Sequence, residues 1–175
     1  MDMQAVRQAH IDWMAGSAVD VYATLKFKNG YDLAESKAER ILSIYLNTLD
    51  RVYFEKRQIR AGLRVERFAF LHKGRSGQNT HYHIAFKSLG PLPQFCDVAH
   101  TLWHRDFQET SGATSQIGEI RSLSAASVYS LHEFGTLGAR TFLTNLSHTN
   151  QAPATGITKG MRLTRRLLKA LEGND

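Results

Sequence analysis

Apolar and polar positions alternate from Ala18 to Lys28: Val19, Val21, Ala23, Leu25 and Phe27 point one way, Asp20, Tyr22, Thr24, Lys26 and Lys28 the other. A period of two predicts a half-buried strand, closed by the turn pair Asn29-Gly30. The period then lengthens. Asp32 can cap a long helix running to about Arg57, on which Leu33, Ala38, Ile41, Leu42, Tyr45, Leu49, Val52 and Tyr53 keep helical spacing. Gly62 breaks that pattern. Leu63 to Leu71 and Thr80 to Lys87 read as two strands joined by the exposed turn Lys73 to Asn79, a β-hairpin. After Gly90, Pro91 and Pro93 the spacing predicts a helix over Gln94 to Phe107, a loop over Ser111 to Ser115 and a short strand over Gln116 to Leu123. A helix follows from Ala125 to Phe134, capped by Ser124 and ended by Gly135, and then a further helical piece from Thr136 to Leu146. Residues 1–16 are a short segment with a few apolar anchors.

The order β-α-β-β-α-β-α-α predicts an α+β fold, a central antiparallel sheet with flanking helices. A chain of 175 residues suits one domain, placed here over 1–150. Residues 151–175 follow as a polar linker (His148 to Gly156) and a basic amphipathic helix with Leu163, Leu167, Leu168 and Leu171 on one side.

Charge sharpens the picture. The chain carries net +6, and Arg51 to Arg75 alone holds eight basic against two acidic side chains, which accounts for the whole excess. A localised positive field favours a polyanion. Lys26 and Lys28 on the first strand, with Arg64, Arg67, Lys73 and Arg75 in the basic block, are the candidate nucleic-acid contacts. One cysteine, Cys96, excludes a disulfide framework and a multi-cysteine zinc site and fits a reducing compartment. No apolar run approaches a membrane span and no secretory core opens the chain, so a cytoplasmic protein without membrane contact is expected.

The densest chemistry lies in Thr80-His81-Tyr82-His83-Ile84-Ala85-Phe86. On a strand, His81 and His83 share one face, and Tyr82, Ile84 and Phe86 share the other. Two imidazoles at this spacing can converge on one metal ion, but a site needs a third ligand. His72, nine residues before His81 at the end of the preceding strand, is the first candidate. Strict alternation puts it on the face of Glu66, Phe68 and Phe70, so either a bulge near the turn redirects it or it is a loop residue. Glu66 is the runner-up.

The run Phe68-Ala69-Phe70-Leu71-His72, the turn to Thr80, and His81-Tyr82-His83 together resemble the metal-binding hairpin of HUH endonucleases, in particular the rolling-circle replication initiators of small phages and plasmids. The resemblance implies an antiparallel, RRM-like core with flanking helices. It implies a divalent ion, Mg²⁺ or Mn²⁺, held by His72, His81 and His83. It also implies a tyrosine nucleophile on a later helix, where Tyr129 matches and His132 stands in place of the family's lysine. The implied activity is nicking and rejoining of single-stranded DNA at an origin hairpin or nick site, through a 5′-phosphotyrosine. The implied partners are that DNA and a host helicase. Tyr22 occupies the position that conjugative relaxases would use.

Two other readings stand beside this one: a non-catalytic nucleic-acid-binding module, and a single-strand tyrosine transposase. No phosphate-binding Gly-x-x-x-x-Gly-Lys loop and no Gly-x-Ser-x-Gly occurs. Cys96 reads as a small buried hydrophobe. His100 and His104 sit at i, i+4 on one helix but lack the glutamate of the zincin pattern.

Overall fold

A computed structural model describes residues 2–150. Residues 151–175, including the basic amphipathic stretch, lie outside the described residues. The elements are α1 (Met3–Ala15), β1 (Val21–Lys26), α2 (Glu35–Tyr53), α3 (Lys56–Arg60), β2 (Arg67–His72), β3 (His81–Phe86), α4 (Leu92–Arg105), β4 (Gln116–Glu119), α5 (Leu123–Ser130) and α6 (Phe134–Leu137), with a 3-10 turn over Gly138–Thr141. The four strands form one sheet in the order β2-β3-β1-β4, and every neighbouring pair is antiparallel. This is the α+β architecture that the periodicity predicts.

Both faces of the sheet are covered. Val21, Ala23 and Leu25 of β1 pack with Tyr82, Ile84 and Phe86 of β3 against Leu42, Tyr45 and Leu49 of α2 and Phe95, Leu102 and Trp103 of α4. Phe68, Phe70 and Ala85 on the opposite face pack against Ile11 and Met14 of α1 and against Leu131, Phe134 and Phe142. The N-terminal segment is therefore a full helix that closes the second face. Asp2 caps it, its side chain accepting from the Gln4 amide at 2.9 Å.

Several boundaries differ from the periodicity. The long helix stops at Tyr53, because Phe54 turns extended and is buried in the core, and α3 is a separate turn and a half. Its start is uncapped by Asp32, which instead accepts from the Asn29 side chain at 2.7 Å. The helix carrying Tyr129 is capped two residues earlier, by Ser122, and stops at Ser130. Ser127 and Ser130 both return their hydroxyls to carbonyls four residues back, which weakens the helix at its end. The expected helix from Thr136 to Leu146 is α6 and the 3-10 turn only. The chain then runs beside β2, making single bridges from Phe142 to Phe70 and from His148 to Arg67.

Candidate metal centre

The hairpin register places His72 directly opposite His81, and Phe70 opposite His83. No bulge is needed. Simple alternation puts His72, Phe70 and Phe68 on the same face as His81, His83 and Ala85. That face is apolar because α1 and the Phe134–Phe142 segment cover its far end, while its near end holds the histidines. The bulge or loop position expected for His72 from the apolar parity of its strand is corrected: His72 ends β2 in regular register, because this second face is covered as well.

The three imidazoles converge. Ring centroids are 4.2 Å apart for His72 and His83, 5.1 Å for His81 and His83, and 5.5 Å for His72 and His81. One ligand nitrogen from each lies within 4.8 Å of the others, so the group could hold a metal ion. Glu66 is at the other end of β2. Its carboxylate accepts from Asn150 at 3.3 Å and faces Lys87 at 3.9 Å, and it takes no part in the cluster.

Each ring is held from behind. His72 Nε2 meets the Ser130 carbonyl at 2.8 Å, His81 Nδ1 the Asn79 carbonyl at 2.9 Å, and His83 Nδ1 the Thr24 hydroxyl at 3.2 Å. A carbonyl can only accept, so His72 and His81 donate there and their second nitrogens carry lone pairs. His72 Nδ1 and His83 Nε2 are buried with no hydrogen-bond partner. Two unpartnered ring nitrogens in a dry site are costly unless something fills them. A cation is what three neutral imidazoles suit, two of them with the tautomer set by a carbonyl, and such backing partners are the usual companions of metal-bound histidine.

Burial also keeps the rings neutral. It lowers His72 to about 4 and His83 to about 2, in the latter case with help from the neighbouring imidazoles, and it lowers His81 as well. Neutral imidazole is the ligand form.

Tyr129 borders the cluster. It is 52% exposed, its ring 5.1 Å from His83 and 6.3 Å from His72. His132 stacks on it at 4.8 Å and lies 4.6 Å from His72, but from the turn after α5 rather than from the helix itself. Tyr22 is close too, stacked on His83 at 5.5 Å. Its hydroxyl, however, is bonded to Ser130 Oγ at 3.0 Å, and burial pushes it well above the ordinary phenol range.

Glu133 ties the two halves of the site together. Its carboxylate accepts the amides of Lys73 and Gly74 at 2.7 and 3.0 Å, and one oxygen stands 3.6 Å from both His72 Nδ1 and His132 Nε2. His72, His132 and Glu133 form a second group with ligand geometry, sharing His72 with the first. Gly30 brings the β1 turn against the start of β3. A Cβ there would lie 2.5 Å from the Asn79 side-chain oxygen and 2.7 Å from the Thr80 carbonyl.

The expected cations divide. Lys26 is opposite His81 across β1 and β3 and exposed. Arg75 is exposed on the hairpin turn. Lys73 is engaged by Glu35 at 2.8 Å and by the Thr80 hydroxyl at 3.0 Å. Lys28 lies past the strand end, beside a separate cavity of about 490 Å³. Arg67 is 6% exposed and forks onto Asp50 at 2.7 and 3.1 Å, and Arg64 lies 3.4 Å from the same carboxylate. Arg67 and Arg64 are structural ion-pair partners and are withdrawn from the surface set. His100 and His104 lie with ring centroids 4.3 Å apart on α4 and are not part of the triad.

Comparison with protein-family models, with curated proteins and with solved structures finds no match. No helix of the described residues is long and apolar enough to cross a membrane.

Proposed function

We propose that this domain is a metal-dependent endonuclease and strand transferase that nicks and rejoins single-stranded DNA, with Tyr129 as nucleophile. The observation that carries the reading is the placement of an exposed tyrosine at the mouth of a three-histidine cluster, its ring 5.1 Å from His83. A divalent ion held by His72, His81 and His83 would supply Lewis-acid polarisation of the scissile phosphate. Oxygen-rich phosphate chemistry suits Mg²⁺ or Mn²⁺, and three imidazoles shift the preference toward Mn²⁺.

Tyr129 then attacks phosphorus in line. The new bond joins the phenolic oxygen to phosphorus, the bond to the 3′ oxygen breaks, and the phenolic proton leaves for solvent or a base as the 3′ oxygen gains one. The product is a 5′-phosphotyrosine and a free 3′-hydroxyl, and reversal reseals the strand without ATP. His132, stacked on the phenol and held near Glu133, donates to the phosphate when protonated. Lys26 and Arg75 hold flanking phosphates. In rolling-circle replication of a plasmid or phage, the partners would be the origin strand and a host helicase. A metal-stabilised nucleic-acid-binding module is the second reading, favoured by one observation: His132 stands off the helix where a lysine would serve a phosphate best.

Incubation with a random single-stranded oligonucleotide pool and Mn²⁺ tests the proposal. A gel-stable adduct is expected on Tyr129, and Tyr129→Phe should lose adduct and nicking together while Tyr22→Phe keeps both. An adduct mapped to Tyr22, or no adduct from any pool, overturns it.

A further inference from the structure

The basic block is not one surface. Three of its eight cations are spent internally: Arg64 and Arg67 on Asp50, Lys73 on Glu35. Arg75 is on the hairpin turn. The other four, Arg51, Lys56, Arg57 and Arg60, are exposed, make no ion pair among the described residues, and gather where α2 ends and α3 begins. Arg51, Lys56 and Arg60 rim a pocket of about 540 Å³ whose remaining lining is Phe54 and Ile59. The one acid in this stretch, Glu55, is exposed and offsets one of the four charges, so the patch keeps a net +3.

This patch is remote from the histidines. Glu35, at the start of α2, pairs with Lys73 beside His72, whereas Arg51 is near its end. Nineteen residues of helix span about 28 Å, the length of roughly eight base pairs of duplex.

We infer that the α2–α3 corner is a second nucleic-acid site, one that grips the phosphate backbone of a duplex. Four exposed cations against one carboxylate call for a polyanion. The choice of duplex follows from what the patch lacks. Single-strand binders combine cations with exposed aromatic rings on which bases stack. Here the one aromatic side chain in the lining, Phe54, is 3% exposed and belongs to the core. Cations without a stacking platform contact phosphates and read no sequence. The inference does not depend on the nicking chemistry, since it concerns a different surface and needs no metal.

The test is fluorescence anisotropy of the full chain in EDTA, across a salt series, with a duplex roughly three times the eight-base-pair span and with its isolated single strand. The wild type should bind the duplex more tightly. The variant Arg51→Ala/Lys56→Ala/Arg57→Ala/Arg60→Ala should lose tenfold or more of duplex affinity at low salt. Its log–log salt slope should fall by about 3.6, at roughly 0.9 for each of four phosphate contacts. Because all four side chains are exposed, its melting temperature and Mn²⁺ affinity should stay at wild-type values; the Arg57→Glu/Arg60→Glu pair, which changes the charge by the same amount, should lose duplex affinity in the same direction. Affinity and slope within twofold of wild type overturn the site. So does an equal loss for duplex and single strand, or loss of binding to phosphatidylserine vesicles with duplex binding intact. Failure of wild-type adduct formation with the anisotropy result standing would remove the nicking proposal and leave this one.

Discussion

At the scale of single residues, the triad depends on what stands behind it. His83 is buried, and its Nδ1 meets the Thr24 hydroxyl. Thr24→Val keeps the shape and removes that partner, and should weaken Mn²⁺ binding about 10- to 100-fold with the fold intact; titration calorimetry checks this, and unchanged affinity would show that Thr24 is a bystander. His81→Ala and His83→Ala should abolish binding altogether. The pair His81 and His83 was legible from spacing alone; of Thr24, only its place on the polar face of the first strand was. Asn79 and Ser130 were not, because carbonyls carry no side-chain signal. Counting charge also misread Arg67. Its partner Asp50 lies seventeen residues back on α2, and only the packing of β2 under that helix brings the fork onto the carboxylate. Asp50→Ala would leave a buried guanidinium unpaired, so a loss of about 3–5 kcal/mol in urea unfolding is expected.

At the scale of elements, the hairpin and α5 are two parts of one site, and Glu133 is the fastening. Its carboxylate takes two hairpin amides that the sheet ladder does not use, and thereby fixes the loop immediately after His72. Glu133→Ala should speed hydrogen exchange at Lys73 and Gly74 and reduce Mn²⁺ affinity about tenfold. Protection unchanged at both amides would remove the fastening role. The hairpin was legible because a period of two with a glycine-rich turn admits little else. The end of α5 was not. Leu131 and Phe134 continue an apolar spacing that suits a helix, and no glycine intervenes until Gly135. The Ser130 carbonyl instead receives His72 Nε2, and Glu133 is drawn to the hairpin, so tertiary bonds end the helix where local pattern would extend it. The run after Gly138 was misread for a related reason: its apolar residues face the edge of β2, a partner invisible to periodicity.

At the scale of the whole molecule, burying three imidazoles makes stability a function of both pH and metal. In the metal-free protein, His72 and His83 titrate at about 4 and about 2, below the unfolded value near 6.5. The unfolded chain therefore takes up protons first as pH falls. Stability rises with pH wherever the unfolded state holds more protons. The contribution is thus complete above about pH 6.5 and is lost progressively as pH drops toward 4 and below. In EDTA the melting temperature should be flat from pH 8 to 7 and should fall from pH 6.5 to 5, before most carboxylates titrate. Mn²⁺ binds the folded triad, so at a hundredfold excess over its dissociation constant it should add about 2.7 kcal/mol, or roughly 5–10 °C for a domain of this size. Protons and metal compete for His72 Nδ1 and His83 Nε2, so that gain should itself shrink on acidification. In the native state protons bind these nitrogens only near pH 4 and below, so the gain should persist at pH 6, where free imidazole is already largely protonated. A melting temperature indifferent to both Mn²⁺ and pH between 7 and 5 would mean that the three rings are neither buried nor ligands, and the nicking proposal would lose its metal.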